Sequence, residues 1–119
     1  MIGSLLDIKR VFKAVMYSYH GLKDAVVYQP SFRQLLVVCI ILVPLAVWIG
    51  ESGFQIAVMI GSLFVALITE LINSAIETVV DRISLEEHEL SKRAKDIGSA
   101  AVFFSIVNVI VIWSVILLI

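Results

Sequence analysis

The sequence predicts an all-α membrane protein with three transmembrane helices and one further helix on the membrane surface. Of its 119 residues, 61% are hydrophobic and only 16% are charged, and the mean hydropathy is +1.05. A water-soluble domain of this length cannot bury so much apolar surface. Charge is also unevenly distributed along the chain. All nine Lys and Arg residues precede the first long apolar stretch or lie between the second and the third such stretch. We therefore expect residues 1–119 to form one membrane domain.

The first element is an amphipathic helix over about residues 4–28. Its apolar residues recur at spacings of three or four, as Leu5, Ile8, Val11, Phe12, Val15, Tyr19, Leu22 and Val26. Charged residues, mostly basic, occupy its other side. Such a helix lies along a membrane surface. The segment Gln29-Pro30-Ser31 should end it, because proline disfavours helical conformation in the preceding residue.

Three apolar stretches follow, and each predicts a transmembrane helix. The first, 35–50, is short and contains Pro44. The second, 54–83, extends roughly 45 Å as a helix, so its end should pass beyond the hydrocarbon core on the cytoplasmic side. The connection 84–96 is charged and is expected to be partly turn and partly the start of the third helix. The third span is 97–119 and carries no charge.

Basic residues also predict the orientation of the chain. The connection between the first two spans contains Glu51 and no Lys or Arg. By the positive-inside rule, the N-terminus and the second connection face the cytoplasm, and the C-terminus faces outward.

The end of the second span carries an acidic stripe. Glu70, Asn73, Glu77 and Asp81 fall within an arc of about 80° on a helix, with Glu70 deepest and Asp81 shallowest. A carboxylate at bilayer depth costs about 2.5–3.5 kcal/mol, so it is rarely kept without a partner or a task. Three carboxylates in a line indicate cation binding or proton handling.

An alternative is that each carboxylate pairs with a base or lies among the headgroups. The available bases are Arg82, Lys92, Arg93 and Lys95. This alternative applies most directly to Asp81. Glu70 and Glu77, with Asn73 between them, favour a functional interpretation.

The third span has a stripe of small or polar residues, which lets helices approach closely. Its members are Ala94, Gly98, Ala101, Ser105 and Asn108. Three short helices offer too little internal surface to shield this stripe and the acidic one together. A homo-oligomer is therefore expected.

Five motifs, in order and at consistent spacing, make the sequence similar to the small bacterial membrane diacylglycerol kinases, a family that includes undecaprenol kinases. They are Lys13-Ala14-x-x-Tyr17-Ser18, Phe32-Arg33-Gln34, Glu70-x-x-Asn73-Ser74-Ala75-Ile76-Glu77-x-x-Val80-Asp81, His88-x-Leu90-Ser91 and Ala94-Lys95-Asp96-x-Gly98-Ser99-Ala100-Ala101-Val102. The resemblance implies a homotrimer in the bacterial inner membrane, with active sites shared between neighbouring subunits. The reaction would transfer the γ-phosphate of ATP to diacylglycerol, giving phosphatidate, with Mg²⁺ as cofactor. No nucleic-acid partner is expected.

The resemblance also implies roles for individual residues. Glu70 would accept the proton of the lipid hydroxyl, and Glu77 would hold the magnesium ion, which prefers oxygen ligands. The expected ATP contacts are Arg10, Tyr17, Gln29, Glu77, Glu86, Glu87, His88, Lys95 and Asp96. The expected substrate or supporting residues are Asn73, Ser99, Arg10, Ala14 and Ser18. The sequence contains no phosphate-binding glycine loop, so this would be an unrelated solution to kinase chemistry.

Two positions depart from the family pattern. Gln29 replaces the usual glutamate that shares the metal with Glu77, and Leu35 replaces a common acid. An amide oxygen can still bind magnesium, but without negative charge. The sequence therefore leaves open an undecaprenol kinase and a catalytically weakened relative. A transporter or channel is the remaining class, although the acids cluster at one interface and nothing similar continues through the other spans.

Overall fold

A computed structural model describes residues 7–119 as four α-helices. These are α1 (Ile8–Tyr28), α2 (Pro30–Ile49), α3 (Gly53–Ile83) and α4 (Glu89–Leu118). Helices α2, α3 and α4 are long and apolar enough to cross a membrane. The all-helical class with three apolar spans is thus confirmed. Residues 4–6 of the expected surface helix lie outside the described part of the chain.

A sharp corner at Gln29 separates α1 from α2. The Gln29 N–H donates to the carbonyl of Ala25 as α1 ends, and Pro30 occupies the first turn of α2, where proline is well tolerated. Proline thus ends one helix and begins the next, and α2 starts at Pro30, before the apolar stretch 35–50. Arg33 fixes the corner, because its Nη1 donates to the carbonyls of Val26 and Val27 at 2.8 and 2.9 Å.

The turn between α3 and α4 occupies residues 84–88, the first part of the connection 84–96. Helix α4 begins at Glu89, because the Nδ1 atom of His88 accepts a hydrogen bond from the Leu90 N–H at 3.0 Å and caps the helix. At the other end of α3, the Ser52 hydroxyl accepts from the Gln55 N–H at 3.1 Å. Residues 89–96 of the expected connection are therefore helical.

Helices α3 and α4 form the closest pair, and α2 packs beside them. The buried core joins all three through Cys39, Ala46, Met59, Leu63 and Trp113. One polar contact crosses this apolar region: the Trp113 indole N–H donates to the Ser62 hydroxyl at 3.2 Å.

The small-residue stripe of α4 is used partly within the subunit. Gly98 and Ser105 are buried, and Gly98 lies directly against the side chain of Asn73 on α3. Large apolar side chains nevertheless remain exposed on the outside, including Trp48 and Phe104. An apolar surface of this kind requires lipid or further protein to cover it.

Candidate functional site between α3 and α4

The acidic stripe opens into a cleft of about 400 Å³, which we call the α3–α4 cleft. Glu70, Asn73 and Glu77 enter it from α3, and Ser99 enters it from α4. Its remaining wall comes from the first half of α2 and from two further apolar residues of α4 (Ser31, Gln34, Leu35, Val38, Val102 and Ile106). The spacing of three and four residues along α3 places the three polar side chains on one face of the helix.

Hydrogen bonds within α3 hold both glutamates. The Asn73 amide Nδ2 donates to Glu77 Oε1 at 3.2 Å, and the Ser74 hydroxyl donates to Glu70 Oε1 at 3.4 Å. Glu70 is 6% exposed and Asn73 7% exposed, whereas Glu77 is partly exposed. Neither glutamate forms a salt bridge within residues 7–119. Their carboxylates therefore keep lone pairs that no cationic side chain within residues 7–119 occupies.

Asp81 differs from the two glutamates, because it is paired. Its Oδ1 lies 2.8 Å from Lys95 Nζ, and both side chains are roughly half exposed, at 48% and 43%. Two other bases form pairs along α4, Lys92 with Asp96 at 2.7 Å and Arg93 with Glu89 at 2.5 Å. Within residues 7–119, the ion-pair alternative raised for the stripe thus holds for Asp81 and not for Glu70 or Glu77.

A second cleft, of about 550 Å³, lies at the turn between α3 and α4, and we call it the turn cleft. It gathers most of the expected nucleotide contacts, namely Glu86, Glu87, His88, Lys95 and Asp96, together with Asp81. Because His88 Nδ1 accepts the capping hydrogen bond, its Nε2 carries the ring proton in the neutral side chain. The cleft therefore offers two lysine ammonium groups, Lys92 and Lys95, together with an N–H donor and several carboxylates.

A third cleft, of about 880 Å³ and mostly apolar, separates α1 from α3 and is called the α1–α3 cleft. Ser18 and Gln29 line it from the α1 side. Gln29 and Glu77, the expected metal pair, therefore line different clefts of one subunit. Within residues 7–119, no group of three His, Cys, Asp or Glu side chains is arranged to hold a metal ion.

The remaining expected residues lie along the exposed surface of α1. Arg10, Ala14 and Tyr17 line none of the three clefts described above. A single subunit therefore does not bring these residues to Glu70 or Glu77.

Ser74 has no role in the sequence-based expectations, and Gly98 appears there only as a member of the small-residue stripe, although both also belong to the family motifs. Ser74 lies one helical turn after Glu70, and that spacing was a usable signal for their hydrogen bond. The contact of Gly98 with Asn73 depends on how α4 packs on α3, which no local signal in the sequence gives.

Comparison with known proteins gives matches over nearly the whole chain. The sequence model for "Prokaryotic diacylglycerol kinase" matches residues 16–117. The chain is 46% identical to the diacylglycerol kinase of Pseudomonas aeruginosa over 93% of its own length and 90% of that protein. It is 40% identical to the Escherichia coli K12 enzyme, covering 98% and 96% of the two chains. It is 44% identical to the Haemophilus influenzae enzyme, covering 92% and 93%. The chain belongs to the prokaryotic diacylglycerol kinase family.

Proposed function

We propose that the protein is an ATP-dependent diacylglycerol kinase that transfers the γ-phosphate of ATP to the free hydroxyl of diacylglycerol and so forms phosphatidate. Family membership over nearly the full chain supports this activity. The observation that carries the proposal is the α3–α4 cleft, where two glutamates without salt bridges within residues 7–119 meet Asn73 and Ser99. Kinase chemistry of this kind depends on positioning and charge neutralisation, and it needs no covalent intermediate on the protein.

Glu70 is the proposed general base. As the lipid hydroxyl oxygen bonds to the γ-phosphorus, the bond from that phosphorus to the oxygen bridging it to the β-phosphate breaks, and ADP leaves. The hydroxyl proton passes to the Glu70 carboxylate. Its burial and the Ser74 hydrogen bond hold one carboxylate oxygen in place, and the other remains available for the proton.

Glu77 is the proposed magnesium ligand. The donor set fits, because the carboxylate is partly exposed in the cleft and Asn73 orients it. Magnesium usually keeps several waters and binds proteins through one or two carboxylates plus substrate phosphates. One glutamate can therefore supply the protein ligand of such a site. When bound, the ion would neutralise charge on the transferring phosphate.

The turn cleft is the proposed nucleotide site. Lys95 supplies positive charge for the phosphates, and the Nε2–H of His88 is available to donate a hydrogen bond. Asp96, Glu86 and Glu87 line the same cleft and could accept hydrogen bonds from the sugar or the base. The turn cleft and the α3–α4 cleft are built on consecutive turns of α3, which supports their use in one reaction.

Helix α1 is proposed to lie on the cytoplasmic surface of the bacterial inner membrane, with the C-terminus outside. The basic residues of the chain all lie at one end of the spans, as the positive-inside rule requires. The apolar α1–α3 cleft, with Ser18 at its wall, suits a lipid chain near the headgroups.

A homotrimer with shared active sites is proposed as the working form. Arg10, Tyr17 and Gln29 do not meet Glu77 in one subunit, so they can serve the same site only if a neighbour supplies them. The exposed apolar side chains of the spans provide surface for such contacts.

The decisive assay uses purified protein in mixed micelles with radiolabelled ATP, magnesium and either diacylglycerol or undecaprenol. We expect magnesium-dependent labelling of diacylglycerol well above that of undecaprenol. Preferential labelling of undecaprenol would reassign the substrate, and no labelling of either lipid would refute the kinase. The mass of the protein in detergent, measured by light scattering, tests the trimer separately.

A further inference from the structure

We propose that Gly98 is a positioning residue: because it has no side chain, the Asn73 amide can lie against α4 while its nitrogen holds Glu77. The proposal rests on the function given above to the α3–α4 cleft. The contact itself is a feature of helix packing and can be tested without any activity.

Gly98 is buried in α4 and faces Asn73 on α3. A Cβ atom added to Gly98 would overlap Asn73 Oδ1 and would lie 3.3 Å from Asn73 Cγ and 4.0 Å from Asn73 Cβ. The three nearest atoms all belong to this one side chain. The Asn73 amide, and not the backbone of α3, therefore occupies the space that glycine leaves.

The two ends of the Asn73 amide have different surroundings. Its Nδ2 donates to Glu77 Oε1, whereas its Oδ1 is buried and has no hydrogen-bond partner within residues 7–119. Reversing the amide would place its oxygen against the carboxylate, where two acceptors repel. Only one orientation supports Glu77, and that orientation points the oxygen at residue 98.

Buried acceptors without a partner are uncommon in folded proteins. The residue that carries this acceptor, Asn73, lines the α3–α4 cleft together with both glutamates. Asn73 is also the one side-chain donor to Glu77 within residues 7–119. A methyl group on residue 98 must turn the amide or separate α3 from α4, and either change removes that donor. Misplacement of reacting groups by about 1 Å can lower a rate about 100-fold.

A double-mutant cycle tests the contact through thermal unfolding of the protein in detergent. Gly98→Ala is made in the wild type and in Asn73→Ala, which lacks the two atoms that a Cβ on residue 98 meets most closely. We expect Gly98→Ala to lower the Tm of the wild type and to leave the Tm of Asn73→Ala unchanged. Gly61→Ala is the matched control, because a Cβ there meets no heavy atom within 4 Å. It should not lower the Tm in either background.

Side-chain NMR provides a second measurement, because the chain contains only two asparagines, Asn73 and Asn108. With ¹⁵N-labelled asparagine, Gly98→Ala should shift the NH₂ signals of Asn73 and leave those of Asn108 in place. Gly61→Ala should move neither. Unmoved Asn73 signals in Gly98→Ala would overturn the proposal.

Folding failure is also informative here. If Gly98→Ala unfolds but the double variant with Asn73→Ala folds, the proposal is supported. If Gly98→Ala lowers the Tm equally in both backgrounds, or if neither protein folds, then the Asn73 side chain is not the group that excludes a methyl at residue 98. The proposal then fails.

Activity then links the contact to the reaction. We expect Gly98→Ala to lower kcat by about tenfold to a hundredfold and to raise the magnesium requirement, while Gly61→Ala changes neither. A Gly98→Ala enzyme with wild-type kcat and magnesium requirement would overturn the positioning role. If wild-type protein phosphorylates no lipid, the proposed function fails, and the unfolding cycle and the NMR signals still decide whether Gly98 positions Asn73.

Discussion

Lys95 Nζ lies 2.8 Å from Asp81 Oδ1, so one ion pair joins the polar end of α3 to the first turns of α4. The two residues are 14 positions apart in the chain, across the turn that forms the proposed nucleotide site. The pair therefore holds Lys95 at the wall of the turn cleft. Because both side chains are about half exposed, its contribution to stability should be small.

Lys95→Met is expected to raise the KM for ATP strongly, because the variant loses a phosphate-binding charge. Asp81→Asn should have a weaker effect on that KM, since Lys95 keeps its charge and loses only its anchor. Neither change should lower the free energy of unfolding by more than about 1 kcal/mol. Initial rates against ATP concentration, with unfolding in parallel, test this. An unchanged KM in Lys95→Met would remove Lys95 from the nucleotide site.

Glu77→Gln is expected to abolish activity, because it removes the charged magnesium ligand of the α3–α4 cleft, where the other carboxylate, Glu70, serves as the base. The loss should be more severe here than where residue 29 is acidic, since Gln29 is already neutral. Rates are measured over a wide range of magnesium concentration. Substantial turnover by this variant at ordinary magnesium would contradict the assignment.

Glu70→Gln is expected to leave nucleotide affinity nearly unchanged and to slow turnover about 100- to 10,000-fold, the usual effect of losing a general base. The isosteric amide can still accept a hydrogen bond from Ser74, so the fold of α3 should persist. Equilibrium binding of ATP and single-turnover rates separate the two effects. A loss of ATP affinity as large as the loss of rate would mean that Glu70 belongs to the nucleotide site.

Gln29→Glu tests the departure from the family pattern. If a neighbouring subunit brings residue 29 to Glu77, a second anionic ligand should lower the magnesium concentration needed for half-maximal rate, because carboxylates bind this cation better than amides. Gln29→Ala is the control and should shift the titration the other way. A Gln29→Glu curve that is unchanged, or shifted to higher magnesium, would show that residue 29 does not approach the metal. Its place in the α1–α3 cleft would then be its working position.

Ser62→Ala tests the polar contact in the apolar core. The variant loses the hydroxyl that accepts from the Trp113 indole N–H. Hydrogen bonds between membrane helices contribute about 0.6 kcal/mol on average, so the free energy of unfolding should fall by about that amount. Unfolding in sodium dodecyl sulfate measures this loss of free energy. In a Trp113→Phe background, Ser62→Ala should have little additional effect. Independent, additive losses would mean that the two side chains do not interact.

The sequence alone determined the all-helical fold class and which polar groups share one face of α3. Runs of apolar residues fix three spans because only helices satisfy every backbone group in lipid. Regular spacing within α3 fixed which polar groups share a face, because Glu70, Asn73 and Glu77 belong to one helix. The starting residues of α2 and α4, Pro30 and Glu89, were harder to predict from the sequence. The start of α4 depends on capping by His88, which a hydrophobic pattern does not reveal, and α2 begins with Pro30 in its first turn.

Only the tertiary structure decided which groups meet across helices. It paired Asp81 with Lys95, left Glu70 and Glu77 without an ion pair within residues 7–119, and set Gly98 against Asn73. It also separated Gln29 from Glu77 into different clefts of one subunit. The physical reason is that a contact between helices depends on their relative rotation and separation. Those are fixed by the packing of many side chains at once, and no local spacing along the chain encodes them.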